Sequence, residues 1–201
     1  MRTQAKGLLG KITTAIRNKA RQICWEGRGR LLDVGCGNSF FLSQLEDRVD
    51  LRFFGLDRSW DLLTEARCKV DRVRLAQGLM EDLPFRDFSF DWVVCLSTLY
   101  NLPGLEEVRH ALKEMMRVCK PGGRVVVDVR NRANPYMRLK YRWHGLRSDF
   151  PVKAYYLSQF VEVFEEEGFE VERVVPIGPN HSWLALAPIL SKLVRGSRCD
   201  L

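Results

Sequence analysis

The sequence predicts an α/β fold: a doubly wound, mostly parallel sheet of seven strands with helices on both faces, preceded by a helical extension. Two observations predict it. Short apolar runs alternate with amphipathic stretches along most of the chain, as strands separated by crossover helices do. In addition, the run "RVVVDV" at 124–129 keeps its β-branched apolar character throughout, which suits a strand covered on both faces.

Within residues 1–27, Leu8, Ile12, Ile16 and Ile23 recur at helical spacing, with Lys6, Lys11, Arg17, Lys19 and Arg21 largely between them. Such a helix either packs its apolar stripe on the domain, the reading preferred here, or lies on an anionic membrane surface. The first strand is "RLLDV" (30–34), and a helix begins at Phe40. "LRFFGLD" (51–57) is the second strand, and Ser59 stands where it can cap the following helix. "VRLAQ" (73–77) and part of "FDWVVCLSTL" (90–99) supply the third and fourth strands. A strongly amphipathic helix over 105–120 stops at Pro121-Gly122-Gly123, and the fifth strand follows. The segment 130–156 is then aromatic, basic and irregular, after which a helix, a stop at Gly168 and a sixth strand are expected. The end of the chain predicts a last strand around Trp183–Ala187 and a short helix after Pro188.

The 201 residues suffice for one domain with a full core. Six scattered cysteines, with no Cys-x-x-Cys pair, match neither a zinc site nor a disulfide framework, so a reducing, cytoplasmic location is expected. Three distant histidines give no metal signature. The net charge of +7 suits an anionic partner or, as preferred here, a solvated basic surface. No apolar run reaches the roughly 18 residues of a membrane span, and no signal-peptide block is present.

The chemistry is concentrated where the first strand ends. Gly35-Cys36-Gly37 must turn the chain sharply and let a ligand approach the backbone. About twenty residues on, Asp57 closes the second strand, where a carboxylate can accept from a ribose diol. Nicotinamide, flavin and adenosylmethionine proteins share that pattern. Two details bear on the choice. Asp33 precedes the glycines, and an acid facing the turn repels a pyrophosphate but suits an ammonium or sulfonium. Ser39 also stands where a third glycine would continue a dinucleotide loop.

Later segments carry a more specific signal. "LLDVGCG", Leu83-Pro84-Phe85, Phe90-Asp91 and Arg117-Val118-Cys119-Lys120-Pro121-Gly122-Gly123 occur in that order between Leu31 and Val129. This combination resembles the class I S-adenosylmethionine-dependent methyltransferases, in the group marked by L-P-F, F-D and K-P-G-G. The resemblance implies a Rossmann-like domain over 1–201: a helical cap (1–27), a cofactor-binding core (28–129), a substrate-side insertion (130–157), and a C-terminal helix and strands (158–201). It implies S-adenosyl-L-methionine as cofactor. Asp33 would face the cofactor's amino group, with Gly35 and Gly37 against its methionine part. Asp57 would hold the ribose, Arg58 would lie beside the adenine, and Leu79 and Met80 would stand where the family places its adenine contacts. Leu79 cannot accept from the adenine amino group, and Asp82 is a candidate replacement. Leu96 and Ser97 would lie near the methionine end, and Tyr100 and Asn101 would face cofactor or substrate, although a core position for Tyr100 is an equal alternative.

Methyl transfer from a sulfonium needs chiefly alignment, and a base only if the acceptor must lose a proton. Tyr100 and His144 are the catalytic candidates, His144 because it lies in the aromatic insertion; Tyr141 and His181 are others. No Asn-Pro-Pro-Tyr motif and no RNA-binding module occur, so no nucleic-acid partner is expected. The aromatics of 130–156 suggest a small-molecule or lipid-like acceptor, with peripheral membrane contact through the basic N-terminal helix as an accompanying reading. The alternatives are a non-catalytic adenosylmethionine-binding module and a nicotinamide-dependent oxidoreductase.

Overall fold

A computed structural model describes residues 8–133, 153–177, 187–189 and 194–196. Its elements begin with helix α1 (Leu8–Cys24), strand β1 (Gly29–Val34), the single turn α2 (Phe40–Ser43), β2 (Leu51–Asp57) and α3 (Trp60–Arg67). They continue with β3 (Val73–Gln77), β4 (Phe90–Cys95), a 3-10 turn at Leu99–Asn101, α4 (Leu105–Val118), β5 (Cys119–Val127) and α5 (Leu157–Glu166). Strands β1 to β5 pair in parallel in the order β3-β2-β1-β4-β5. The order reverses between β1 and β4, which opens a crevice at the carboxyl ends of those strands.

Helices cover both faces because the strand side chains alternate between two cores. Leu32, Val93, Val125 and Val127 join the cluster that includes α4 and α5 residues. Their neighbours Leu31, Val94 and Val126 join the other cluster, with α1 and α2. Helix α1 buries Ile12, Ile16, Ala20 and Cys24, one residue per turn, in that second core, while Ile23 is only partly covered. Its apolar stripe therefore packs on the domain. Ser59 caps α3, its hydroxyl accepting from the Leu62 N–H at 3.4 Å.

The end of the chain departs from the sequence reading. The expected sixth strand is divided into β6 (Phe169–Val171) and β7 (Val175–Ile177), separated by the exposed Glu172, Arg173 and Val174. Where a helix was expected after Pro188, Ala187–Ile189 (β8) pairs with β7, and Val194–Gly196 (β9) lies antiparallel between β5 and β6. An uncovered β5 edge would leave unpaired backbone groups, and β9 meets that need despite a three-residue sequence with no strand periodicity. Trp183 and its neighbours up to residue 186 lie outside the described residues.

The motifs that carry the family resemblance have structural work at the opposite edge of the sheet. Asp91 accepts the Arg30 N–H at 2.8 Å and the Lys120 ammonium at 2.8 and 2.9 Å, joining the starts of β1, β4 and β5. Arg117 donates to the carbonyls of Leu83 (3.0 Å) and Phe85 (2.9 Å), and to Asp87 and both oxygens of Glu114. Glu114 in turn accepts the Leu83 N–H at 2.8 Å, so the L-P-F turn is clasped to α4. Arg117→Ala leaves two carbonyls and two carboxylates without their donor. It should lower unfolding free energy by about 3 kcal/mol, read by urea denaturation. A loss below about 0.5 kcal/mol would mean that water replaces the guanidinium without penalty.

Candidate functional site

The site is built where β1 and β4 end. Gly35 follows β1 with φ of 75°, and its N–H and that of Cys36 both donate to the Leu56 carbonyl, at 2.7 and 3.0 Å. A Cβ at Gly35 would stand 2.5 Å from Cγ2 and 2.7 Å from Oγ1 of Thr98, so the turn and the loop after β4 are in direct contact. The Thr98 hydroxyl bonds the carbonyls of Gly35 (3.4 Å) and Leu96 (3.0 Å). Gly37 also has positive φ, 53°, but a Cβ there would meet only Leu62, at 3.9 Å. One glycine is demanded by the protein's own packing. The other leaves space over the backbone.

Two carboxylates flank this turn. Asp57 Oδ2 accepts the Gly37 N–H at 2.8 Å and Oδ1 accepts the Ser59 N–H at 2.9 Å, which fixes the carboxylate at the crevice. Each oxygen retains a second lone pair. Asp33, near the end of β1, is only 3% exposed. Burial pushes its carboxyl up to about 7, with the Asp57 charge adding to the rise and Arg17 opposing it. A buried carboxyl held so far up accommodates a cation readily, because the cation offsets the cost of ionising it.

Past β4, Leu96 is buried and Ser97 takes φ of 58°, an uncommon conformation for a non-glycine residue. The Ser97 N–H donates to Asp128 Oδ1, just beyond the end of β5. Tyr100 lies partly buried beneath the Arg130 guanidinium, 3.2 Å from its ring centroid. Burial holds its phenol above the usual range, so at neutral pH it is a hydrogen-bond donor and a poor base.

The sequence-predicted residues therefore divide. Asp33, Gly35, Gly37 and Asp57 lie around one turn, and Thr98 contacts link Leu96 and Ser97 to it. Arg58 is exposed, its carbonyl held by Gln77 at 3.1 Å. Leu79 is 56% exposed in a turn closed onto Asp82, whereas Met80 packs on the larger core. His144, Tyr141 and His181 lie outside the described residues. Sequence reasoning missed Thr98, Asp128 and Arg130; Asp128 was legible only as a lone acid in "VVVDV" at the carboxyl end of a parallel strand. Among the described residues no His, Cys, Asp and Glu group is arranged to hold a metal ion. No described helix is long and apolar enough to cross a membrane.

The methyltransferase-domain family model matches residues 32–127, from the core of β1 to the end of β5. That stretch, just under half of the chain, is a methyltransferase domain of the class I S-adenosylmethionine-dependent kind. A demethylmenaquinone methyltransferase of Bacillus cereus is 38% identical over 104 residues, covering 48% of this chain and 43% of that protein. The match thus spans under half the length of that relative. Among solved structures, a Pyrococcus horikoshii protein has the same fold with a TM-score of 0.73 at 18% identity, over 97% of this chain and 94% of that one. The magnesium protoporphyrin IX methyltransferase of Synechocystis with bound SAH gives 0.72 at 17% identity, over 94% and 88%. S-adenosylmethionine is the methyltransferase family's cofactor, and the acid-flanked turn has the chemistry to hold it.

Proposed function

We propose that this chain transfers the methyl group of S-adenosylmethionine to a small or lipid-like acceptor of the quinol kind. The observation that carries the reading is the pair of acids at one glycine turn: Asp57 bonded to the Gly37 N–H, and Asp33 buried beside it. In this reading Asp33 faces the ammonium of the methionine part, while the backbone of Gly35 and Gly37 lies along that part. Asp57 takes the ribose hydroxyls, and Leu96 and Ser97 border the methionine end. Arg58, Leu79 and Met80 border the adenine. A pyrophosphate would meet Asp33 unfavourably, which argues against a nicotinamide cofactor. The relative named for demethylmenaquinone supports a quinone-related acceptor. Any membrane contact of α1 would run through its basic residues, since the apolar stripe is in the core.

The chain's contribution to the reaction is alignment. Holding acceptor and sulfonium in line at contact distance supplies roughly 7–11 kcal/mol of barrier reduction. Calorimetric titration with S-adenosylhomocysteine (SAH) and with NAD tests the cofactor. A screen with methyl-labelled cofactor against quinol and lipid extracts tests the transfer. Micromolar binding of NAD with none of SAH would replace this reading with an oxidoreductase.

Asp33 gives the reading a pH signature. Its folded-state value lies above the ordinary 3.8, so stability present below that value is lost as pH rises toward 7. Asp33→Asn should therefore stabilise the ligand-free protein at pH 8, by up to about 4 kcal/mol, and change nothing near pH 4. The ligand's ammonium favours ionised Asp33, so SAH should bind the parent protein about tenfold more tightly at pH 8 than at pH 6. The Asp33→Asn variant should bind more weakly and show no such slope. Parent affinity that falls between pH 6 and 8 would remove Asp33 from the ammonium's surroundings.

A further inference from the structure

Asp128 is 5% exposed, yet only one of its oxygens has a partner. Oδ1 accepts the Ser97 N–H, whereas Oδ2 is buried without a hydrogen bond. Holding the Ser97 turn needs a single acceptor, which an uncharged side chain would supply without burying a carboxylate. A buried carboxylate oxygen left without a donor is costly. That cost points to a donor that comes and goes.

The place of Asp128 narrows the identity of the donor. Ser97 adjoins Thr98, and Thr98 contacts the Gly35 turn, so two hydrogen bonds connect Asp128 to the cofactor crevice. The ammonium already has a buried acid, Asp33, on the β1 side of that crevice. Around Asp128 the charges of Arg130 and Arg17 partly offset its burial, and Tyr100 adjoins the same group. A second buried acid thus stands just past the end of β5, bonded to the loop that this reading sets against the methionine end.

We infer that Asp128 Oδ2 receives a hydrogen bond from a hydroxyl of the methyl acceptor, which makes Asp128 the residue that selects hydroxyl-bearing acceptors and sets their orientation. The inference rests on the cofactor reading above and goes beyond it in naming an acceptor feature and its receptor.

The test uses the full chain saturated with SAH, titrated under reducing conditions with 1,4-dihydroxynaphthalene and with 1,4-dimethoxynaphthalene, which lacks the hydroxyl protons. The dihydroxy compound should bind the parent protein about tenfold or more tightly. Asp128→Asn keeps an oxygen for the Ser97 N–H, so it should retain SAH affinity within about threefold while losing the hydroxyl preference. The parent comparison requires no variant to fold. Equal binding of the two compounds to the parent, or binding of neither, overturns the assignment. An unchanged preference in Asp128→Asn also overturns it. A tenfold loss of SAH affinity in that variant would do the same, by giving Oδ2 to the cofactor. Failure of the parent to bind SAH at all strikes the cofactor reading, a result distinguishable from each of these.

Discussion

Gly35→Val is expected to weaken SAH binding by at least about a hundredfold, with a lowered melting temperature. The reason lies in the protein before any ligand is considered. At φ of 75°, any L side chain is strained by about 1–2 kcal/mol, and a β-branched one more. The first added carbon would also stand 2.5 Å from Thr98 Cγ2 and 2.9 Å from its Cβ. Thr98 cannot retreat freely, because its hydroxyl bonds the Gly35 and Leu96 carbonyls and Ser97 is tied to Asp128. The displacement therefore travels into the loop after β4, which borders the same crevice. Gly37→Ala separates the two effects. Its Cβ meets only Leu62 at 3.9 Å, so that variant should fold with a backbone cost of about 1–2 kcal/mol and lose affinity through the cofactor's space. Calorimetry with SAH, alongside thermal melts of both variants, reads the result. Undiminished affinity in folded Gly35→Val would remove this turn from the site.

That first strand and its turn were legible in the sequence for physical reasons. A strand covered on both faces must be apolar throughout, and Leu31, Leu32, Val93, Val94 and Val125 to Val127 deliver that signal to both cores. The glycine turn was legible because a positive φ and a close approach leave few residue choices. The motifs were legible as a family resemblance, but their work was not. Arg117 and Asp91 are joined to partners that only the folded chain brings near, and those contacts lie at the edge away from the crevice. Asp128 was hidden by the strand that precedes it: the sequence extends that strand through Val129, whereas β5 ends at Val127 and leaves the acid just beyond it. Strands β6 to β9 are three residues each and carry no periodicity of their own. Pairing with a neighbour decides such segments, and pairing is not local.

Asp57→Ala is expected to weaken SAH binding by about ten- to a hundredfold, and Asp57→Asn by nearly as much. The lone pairs of the carboxylate set this expectation. Each oxygen of an ionised carboxylate has two, so one lone pair per oxygen remains after Gly37 N–H and Ser59 N–H are satisfied. Two free acceptors on adjacent oxygens match the two hydroxyls of a ribose. Alanine removes all four acceptor positions and leaves the Gly37 N–H without its partner. Asparagine is no milder, because its NH2 group must point at one of the two backbone N–H donors. Donor then faces donor, and either the glycine turn or the start of α3 must shift. Melting curves should show that pressure as a loss of about 1–3 kcal/mol in both variants, with or without ligand. The decisive comparison is SAH against its 2′-deoxy analogue. The parent should prefer SAH by about tenfold or more, and Asp57→Ala should bind the two alike. A preference that survives in folded Asp57→Ala would place the ribose against some other group and leave Asp57 as a brace for the turn alone.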